Sequence, residues 1–86
     1  MITGINTVHQ HEGREFHLQA EDLGEEVKAF EVRVYDQGSV VWQKRLDYSE
    51  IVDQGLPKQE LEQALRKKME KTLLTVEAAI AKGKIG

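Results

Sequence analysis

Two short polar triplets that end in glycine, His11-Glu12-Gly13 and Asp36-Gln37-Gly38, constrain this chain most strongly. Each triplet separates two segments in which apolar and polar residues alternate, which is typical of half-buried strands. A three-residue hairpin loop favours glycine in third place, because that residue adopts a left-handed backbone. The sequence therefore predicts two β-hairpins, each with a three-residue loop that ends at a glycine.

The loop length sets which residues of the second hairpin face each other. With three-residue loops, Val34 lies opposite Val40 and Val32 lies opposite Trp42. The inward face then contains Phe30, Val32, Val34, Val40, Trp42 and Leu46, with Lys44 as a polar exception. The outward face contains Glu31, Arg33, Tyr35, Val41, Gln43 and Arg45.

The same rule predicts the faces of the first hairpin. Val8 is placed opposite Phe16, and Leu18 and Ala20 also point inward. The residues predicted to point outward are Thr7, His9, Glu15, His17, Gln19 and Glu21.

A helical period replaces the strand pattern after Leu46. Residues 48–56 are predicted to form a loop with one helical turn around 49–53, and Pro57 is suited to the first turn of a helix. Apolar residues then recur three and four positions apart, which predicts a helix over 57–82 that ends before Gly83. The apolar stripe consists of Leu61, Leu65, Met69, Leu73, Val76 and Ile80.

These elements predict one small α+β domain over residues 1–86. Two hairpins in residues 1–47 form a four-stranded antiparallel sheet, and one long C-terminal helix packs on one face of it. The helix would be about 39 Å long and strands of eight residues only about 27 Å, so its end near Val76 and Ile80 should overhang. Either a second copy, forming a homodimer, or another segment of the chain would cover that end.

Composition narrows the classes of function. The chain contains no cysteine, which excludes disulfides, thiolate catalysis and cysteine-based zinc sites and fits the cytoplasm. Neither a signal-like start nor a stretch of about 20 apolar residues is present, so no membrane association is expected. Residues 1–56 carry a net charge of −6 and residues 57–86 a net charge of +3. The acidic total argues against a protein built to neutralise many phosphates.

Catalysis is not expected from this sequence. The only serines, Ser39 and Ser49, lie in turn or loop contexts, and no nucleotide-binding or zinc-protease motif occurs. The three histidines of the first hairpin, His9, His11 and His17, could bind a metal together with Glu15, with His9 and His17 as diagonal neighbours. An open strand face holds ligands poorly, so we expect no metal and no cofactor.

The stretch FHLQAEDLGEE resembles a recurring stretch in a family of small uncharacterised bacterial proteins. The matching residues are Phe16, His17, Leu18, Gln19, Glu21, Asp22 and Gly24, with Ala20 where the family usually has threonine. The similarity continues through Gly38, Lys44, Tyr48 and the C-terminal helix, and so covers most of the chain. The resemblance implies no established activity, and the missing hydroxyl at Ala20 argues against a ligand contact there.

The resemblance directs attention to one corner of the sheet. We expect His17, Gln19, Glu21 and Asp22 to form a polar binding patch for a protein partner, in particular one with a basic surface. The alternative is that Asp22 and Gly24 only shape the turn after the second strand. The sequence thus predicts a non-enzymatic protein-interaction or regulatory domain. The other candidates are a metal- or ligand-binding module on the first hairpin and a nucleic-acid binder that uses Arg66, Lys67, Lys68 and Lys71.

Overall fold

The computed structural model describes residues 4–85, which form four strands followed by a short helix and a long one. The elements are β1 (Gly4–His11), β2 (Arg14–Asp22), β3 (Ala29–Asp36), β4 (Ser39–Asp47), α1 (Ser49–Asp53) and α2 (Lys58–Ala81). All four strands belong to one antiparallel sheet in the order β1-β2-β3-β4. The predicted α+β class, with an antiparallel sheet and a C-terminal helix, is confirmed.

Local interactions explain where α1 begins and where α2 begins and ends. The Asp47 carboxylate accepts hydrogen bonds from the Ser49 hydroxyl at 2.5 Å and the Ser49 backbone N–H at 3.0 Å, which lower the pKa of Asp47 and fix the start of α1. Pro57 precedes α2, which is one residue shorter at each end than predicted. At its C-terminus, Gly83 has a φ of 73°, and Lys84 N–H donates to the Ala79 carbonyl at 2.9 Å.

The core lies between α2 and one face of the sheet. Five residues of the predicted stripe are buried, whereas Leu61 at its start is only partly buried. They pack with buried residues of β2 and β3 and with Tyr48, while Trp42 and Leu46 pack at the margin. Val76 and Ile80 are buried within this single chain, so other segments of the same chain cover this end of the helix, which was one of the two predicted alternatives.

The loops of both hairpins contain two residues, so the predicted three-residue loops are wrong. Glu12 and Gly13 have φ values of 50° and 79°, and Gln37 and Gly38 have φ values of 52° and 82°. Two consecutive left-handed residues are the signature of a type I′ turn, whose twist matches that of the strands. His11 therefore pairs with Arg14, and Asp36 pairs with Ser39.

The shorter loop turns β1 over relative to its prediction. His9, not Val8, pairs with Phe16, and Thr7 pairs with Leu18. A shift of one residue moves every side chain of a strand to the opposite face. Thr7 and His9 consequently lie on the side of α2, and Val8 lies on the outer face with 53% of its surface exposed.

In the second hairpin, a β-bulge changes which face of the sheet the side chains of β4 lie on. The pairing shifts by one residue between Val34 and Tyr35, so that Tyr35 pairs with Val40, whereas Val34 pairs with Trp42. The extra residue restores the predicted face for Trp42, Leu46 and Lys44, although their partners differ from the predicted ones. Val40 lies between the bulge and the loop. It therefore joins Tyr35 on the outer face, and its predicted inward position is wrong.

We predict that Gln37→Asn raises the free energy of unfolding by about 0.5–1 kcal/mol, because asparagine tolerates the left-handed backbone better than glutamine. Urea denaturation monitored by circular dichroism measures the change. Gln43→Asn, in the extended part of β4, serves as the control and should not stabilise the protein. An equal or lower stability of Gln37→Asn would contradict the strain assigned to this turn.

Candidate functional site

The outer face of the sheet, opposite α2, is the main open surface among residues 4–85. The strand pairings arrange its side chains in rows that cross the sheet. One row crosses all four strands and contains Val8, His17, Tyr35 and Val40, which we call the outer band. Val8 is 53% exposed and Val40 is 47% exposed, so both ends of the outer band present apolar surface to solvent.

Two successive rows on one side of the outer band are polar. The adjacent row contains Asn6, Gln19, Arg33 and Gln43, and the Tyr35 hydroxyl lies 3.5 Å from Gln19 Oε1. The next row places Glu21 beside Glu31, and arginine side chains approach both acids. Arg33 forms an ion pair with Glu31 and lies 3.8 Å from Glu21, and Arg45 lies 4.0 Å from Glu31. The negative charge of this corner is therefore largely balanced.

Three of the four residues predicted to form the binding patch lie together. His17, Gln19 and Glu21 alternate along the outer face of β2. His17 and Gln19 line a shallow depression of about 240 Å³, together with Asn6, Val8 and Tyr35 among others. Asp22 lies on the opposite face, because it follows Glu21 and pairs with the buried Phe30.

Asp22 takes part in the packing of the core edge. Its Oδ1 accepts hydrogen bonds from the Tyr48 hydroxyl at 2.5 Å and from the Gly24 N–H at 3.0 Å. Tyr48 is 1% exposed, and its ring stacks on Phe30 with a centroid distance of 6.5 Å. Burial of the phenol and its bond to Asp22 raise the pKa of Tyr48 well above the usual value. Asp22 therefore connects the turn after β2 to the start of α1.

The histidines of the first hairpin do not converge. His9 faces α2, where its Nδ1 lies 3.8 Å from Glu77, whereas His17 lies on the outer face, 3.3 Å from Glu15. The predicted diagonal pair of His9 and His17 is wrong, because the flipped β1 puts these residues on opposite faces. His11 lies 3.7 Å from Glu12 in the turn. Within residues 4–85, no three side chains of metal-ligand type are grouped so that they could hold a metal ion.

The lysines of α2 form a second polar surface. Lys67, Lys68 and Lys71 line an open depression of about 590 Å³ with Thr72 and Thr75. Arg66 lies outside this group, 3.7 Å from Glu70 on the same helix. Neither helix in the described part of the chain is long and apolar enough to cross a membrane.

Val8, Tyr35 and Val40 belong to the outer band but not to the binding patch that the sequence predicts. Three-residue loops place Val8 and Val40 in the core. The sequence predicts an outward position for Tyr35 and indicates no role for it. A two-residue loop at Glu12-Gly13 would have put Val8 beside His17 on the outer face, so the missing signal was the length of the turn.

No protein-family model, curated protein or solved structure matched the chain. The resemblance of residues 16–24 to small bacterial proteins therefore stays a prediction. The arrangement of side chains on the outer face is the main basis for assigning a function.

We predict that Tyr48→Phe lowers the free energy of unfolding by about 1–2 kcal/mol at pH 7, because it leaves the partly buried Asp22 carboxylate with one donor fewer. Chemical denaturation measures the loss. Tyr35→Phe removes the more exposed hydroxyl near Gln19 and should cost much less. Similar losses in both variants would contradict the structural role of Asp22.

The stability of the wild type and that of Tyr48→Phe should also depend differently on pH above pH 8. The pKa of Tyr48 is raised in the folded state, so the unfolded chain loses its proton first and stability falls as the pH rises above about 10. Tyr48→Phe lacks this contribution, so the difference in the free energy of unfolding between the wild type and the variant should shrink by roughly 1 kcal/mol between pH 8 and pH 11. A gap that stays constant over this range would contradict the raised pKa.

Proposed function

We propose that this chain is a non-enzymatic protein-interaction or regulatory domain of the cytoplasm that binds a protein partner through the outer face of its sheet. The observation that carries the proposal is the outer band, in which a tyrosine and a histidine lie between two exposed valines. The two helices cover only the other face, so a partner has access to all four strands at once.

The chemistry of the outer band is that of a binding surface. Tyrosine offers a large, rigid contact area with a polar end, which is why it is enriched at protein interfaces. His17 and Gln19 add hydrogen-bonding groups beside Tyr35. The outer band thus combines exposed apolar side chains at its ends with hydrogen-bonding groups between and beside them, and protein interfaces contain both kinds of contact.

The charges favour a partner different from the one expected from the sequence. Glu21 was expected to attract a basic surface together with Asp22, but Arg33 approaches Glu21 and Asp22 lies on the other face. We therefore propose that the partner presents an apolar strip with hydrogen-bonding groups beside it. The carboxylates that border the outer band are solvated or bound by arginine, an arrangement that suits recognition better than acid–base catalysis.

Affinity capture with matched baits tests this proposal. We expect Tyr35→Ala and the pair His17→Ala with Gln19→Ala each to reduce capture of the specific partner by about tenfold or more, since interface tyrosines often contribute 2 kcal/mol or more. Quantitative mass spectrometry of the captured proteins measures the effect, and circular dichroism verifies that each bait is folded.

Lys67→Ala with Lys71→Ala provides the control, because these residues lie on the exposed side of α2. It should leave partner capture unchanged. If the outer-band variants captured as much partner as the wild type, the outer face would not be the binding surface.

Nucleic-acid binding through α2 is a second candidate, favoured by the grouping of three lysines around one depression. Fluorescence anisotropy with a labelled single-stranded RNA and a DNA duplex, at several salt concentrations, tests it. Binding through these lysines would weaken steeply with salt and would be lost in the Lys67→Ala with Lys71→Ala variant. The outer-band variants would then bind normally.

A further inference from the structure

The two edges of the sheet differ in how well they are protected from pairing with another strand. β4 carries Lys44, Arg45 and Asp47 and contains the bulge, all features that discourage edge-to-edge contact. β1 has the sequence GINTVHQH, with no proline and no lysine, arginine or carboxylate, and it pairs with β2 without a register shift. β1 is therefore a regular edge of eight residues that lacks the usual protective features.

The free hydrogen-bonding groups of β1 follow from its turn. A two-residue loop closes on a hydrogen-bonded pair, here His11 with Arg14, and such pairs alternate along an antiparallel ladder. The backbone N–H and C=O groups of Asn6, Val8 and Gln10 therefore point away from β2. They form a row of donors and acceptors along the open edge.

Two side-chain atoms of β1 also lack partners. Thr7 Oγ1 and His9 Nε2 are both buried, and neither has a hydrogen-bond partner among the described residues. Both side chains lie on the face of β1 that is directed toward α2, two residues apart. A buried polar atom without a partner costs free energy, so this side of β1 is incomplete in the isolated chain.

We propose that the β1 edge binds β1 of a second copy of this chain, antiparallel and with the two-fold axis at Val8. Val8 then forms a hydrogen-bonded pair with Val8 of the second copy, which uses the outward N–H and C=O groups of both. In the same register Thr7 of each copy lies opposite His9 of the other. When these side chains turn toward the shared edge, each Thr7 hydroxyl can hydrogen-bond the His9 imidazole of the other copy, so the unpartnered atoms of both copies gain partners in one dimer.

The surface beside β1 fits this arrangement. A groove of about 190 Å³ between β1 and α2 is lined by Ile5, Thr7, Leu73 and Leu74 among others. Leu74, at 67% exposed, is the most exposed large apolar side chain of the described residues. Among the strands, α2 contacts β1 and β2 most, so a two-fold axis at Val8 places the two α2 helices on the same side of the joined sheet and next to each other.

The charges near the groove are spread along α2. The groove contains two acids, and each has a nitrogen-bearing side chain of its own chain nearby. Glu70 lies 3.7 Å from Arg66, and Glu77 lies 3.8 Å from His9. Since β1 itself carries no formal charge apart from its histidines, two copies of this edge meet without like-charge repulsion between the strands.

Disulfide trapping tests the register, because the chain contains no cysteine. In the proposed dimer, Val8→Cys places two thiols across the axis with their Cα atoms about 5.5 Å apart, within the range that a disulfide spans. We expect mild oxidation to convert most of this variant to a covalent dimer. Val40→Cys is the matched control, since it has similar exposure in the same row but lies on β4, and it should remain largely uncrosslinked.

Light scattering after size-exclusion chromatography tests the association without cross-linking. The wild-type chain should be dimeric, and Leu74→Lys should weaken the dimer by about tenfold or more. Val27→Lys, at an exposed valine in the turn before β3, should have no effect, and neither should Tyr35→Ala in the outer band. A wild-type chain that stays monomeric up to millimolar concentration would overturn the proposal. A strand of a different protein would then be the remaining candidate for binding the β1 edge. Equal cross-linking of Val8→Cys and Val40→Cys would also overturn it.

Discussion

The rest of this structure depends on the alternation of side chains between the two faces of the sheet along each strand. Two residues in each hairpin loop adopt left-handed conformations, and only one of each pair is a glycine. Glu12 and Gln37 accept unfavourable backbone angles because the type I′ turn matches the twist of the strands it joins. Once the loop has two residues, the side of the sheet on which every side chain of β1 lies is decided. The position of Val8 on the outer face and of Thr7 near α2 both follow from it.

The two hairpins then differ because only one contains a bulge. In the second hairpin the bulge returns Trp42 and Leu46 to the core face, so that β4 contributes large apolar side chains to the packing against α2. The first hairpin has no such correction. Of the β1 residues that face α2, only Ile5 packs on the core cluster as an apolar side chain, and it is followed by Thr7 and His9. β1 is consequently a polar border of the core, and this explains how hydroxyl and imidazole groups come to be buried there without partners.

The sequence predicted the faces of β2, β3 and α2, since their apolar residues alternate or recur without ambiguity. β1 offered no such guidance, because its two large apolar residues, Ile5 and Val8, lie three positions apart and so on opposite faces. Glutamate and glutamine before glycine also favoured a loop with a single left-handed residue over the observed turn. The inward position of Asp22 could have been predicted from the sequence. Asp22 follows Leu18 and Ala20 at intervals of two residues, so its side chain lies on the same inner face of β2. Its bond to Tyr48 depends on the path of the chain after β4, which no local pattern indicates.

Because both helices lie on one face, the four-stranded sheet keeps two kinds of open surface, the outer face and the edges. These surfaces lie at right angles, so that a strand added at the edge does not cover the outer face. Val8 belongs to both, because its backbone forms the centre of the β1 edge and its side chain is one end of the outer band. If two copies pair at Val8, their outer bands join into one row that crosses eight strands. A partner that spans the junction would contact both copies, so its binding and the self-association of the chain would reinforce each other instead of competing.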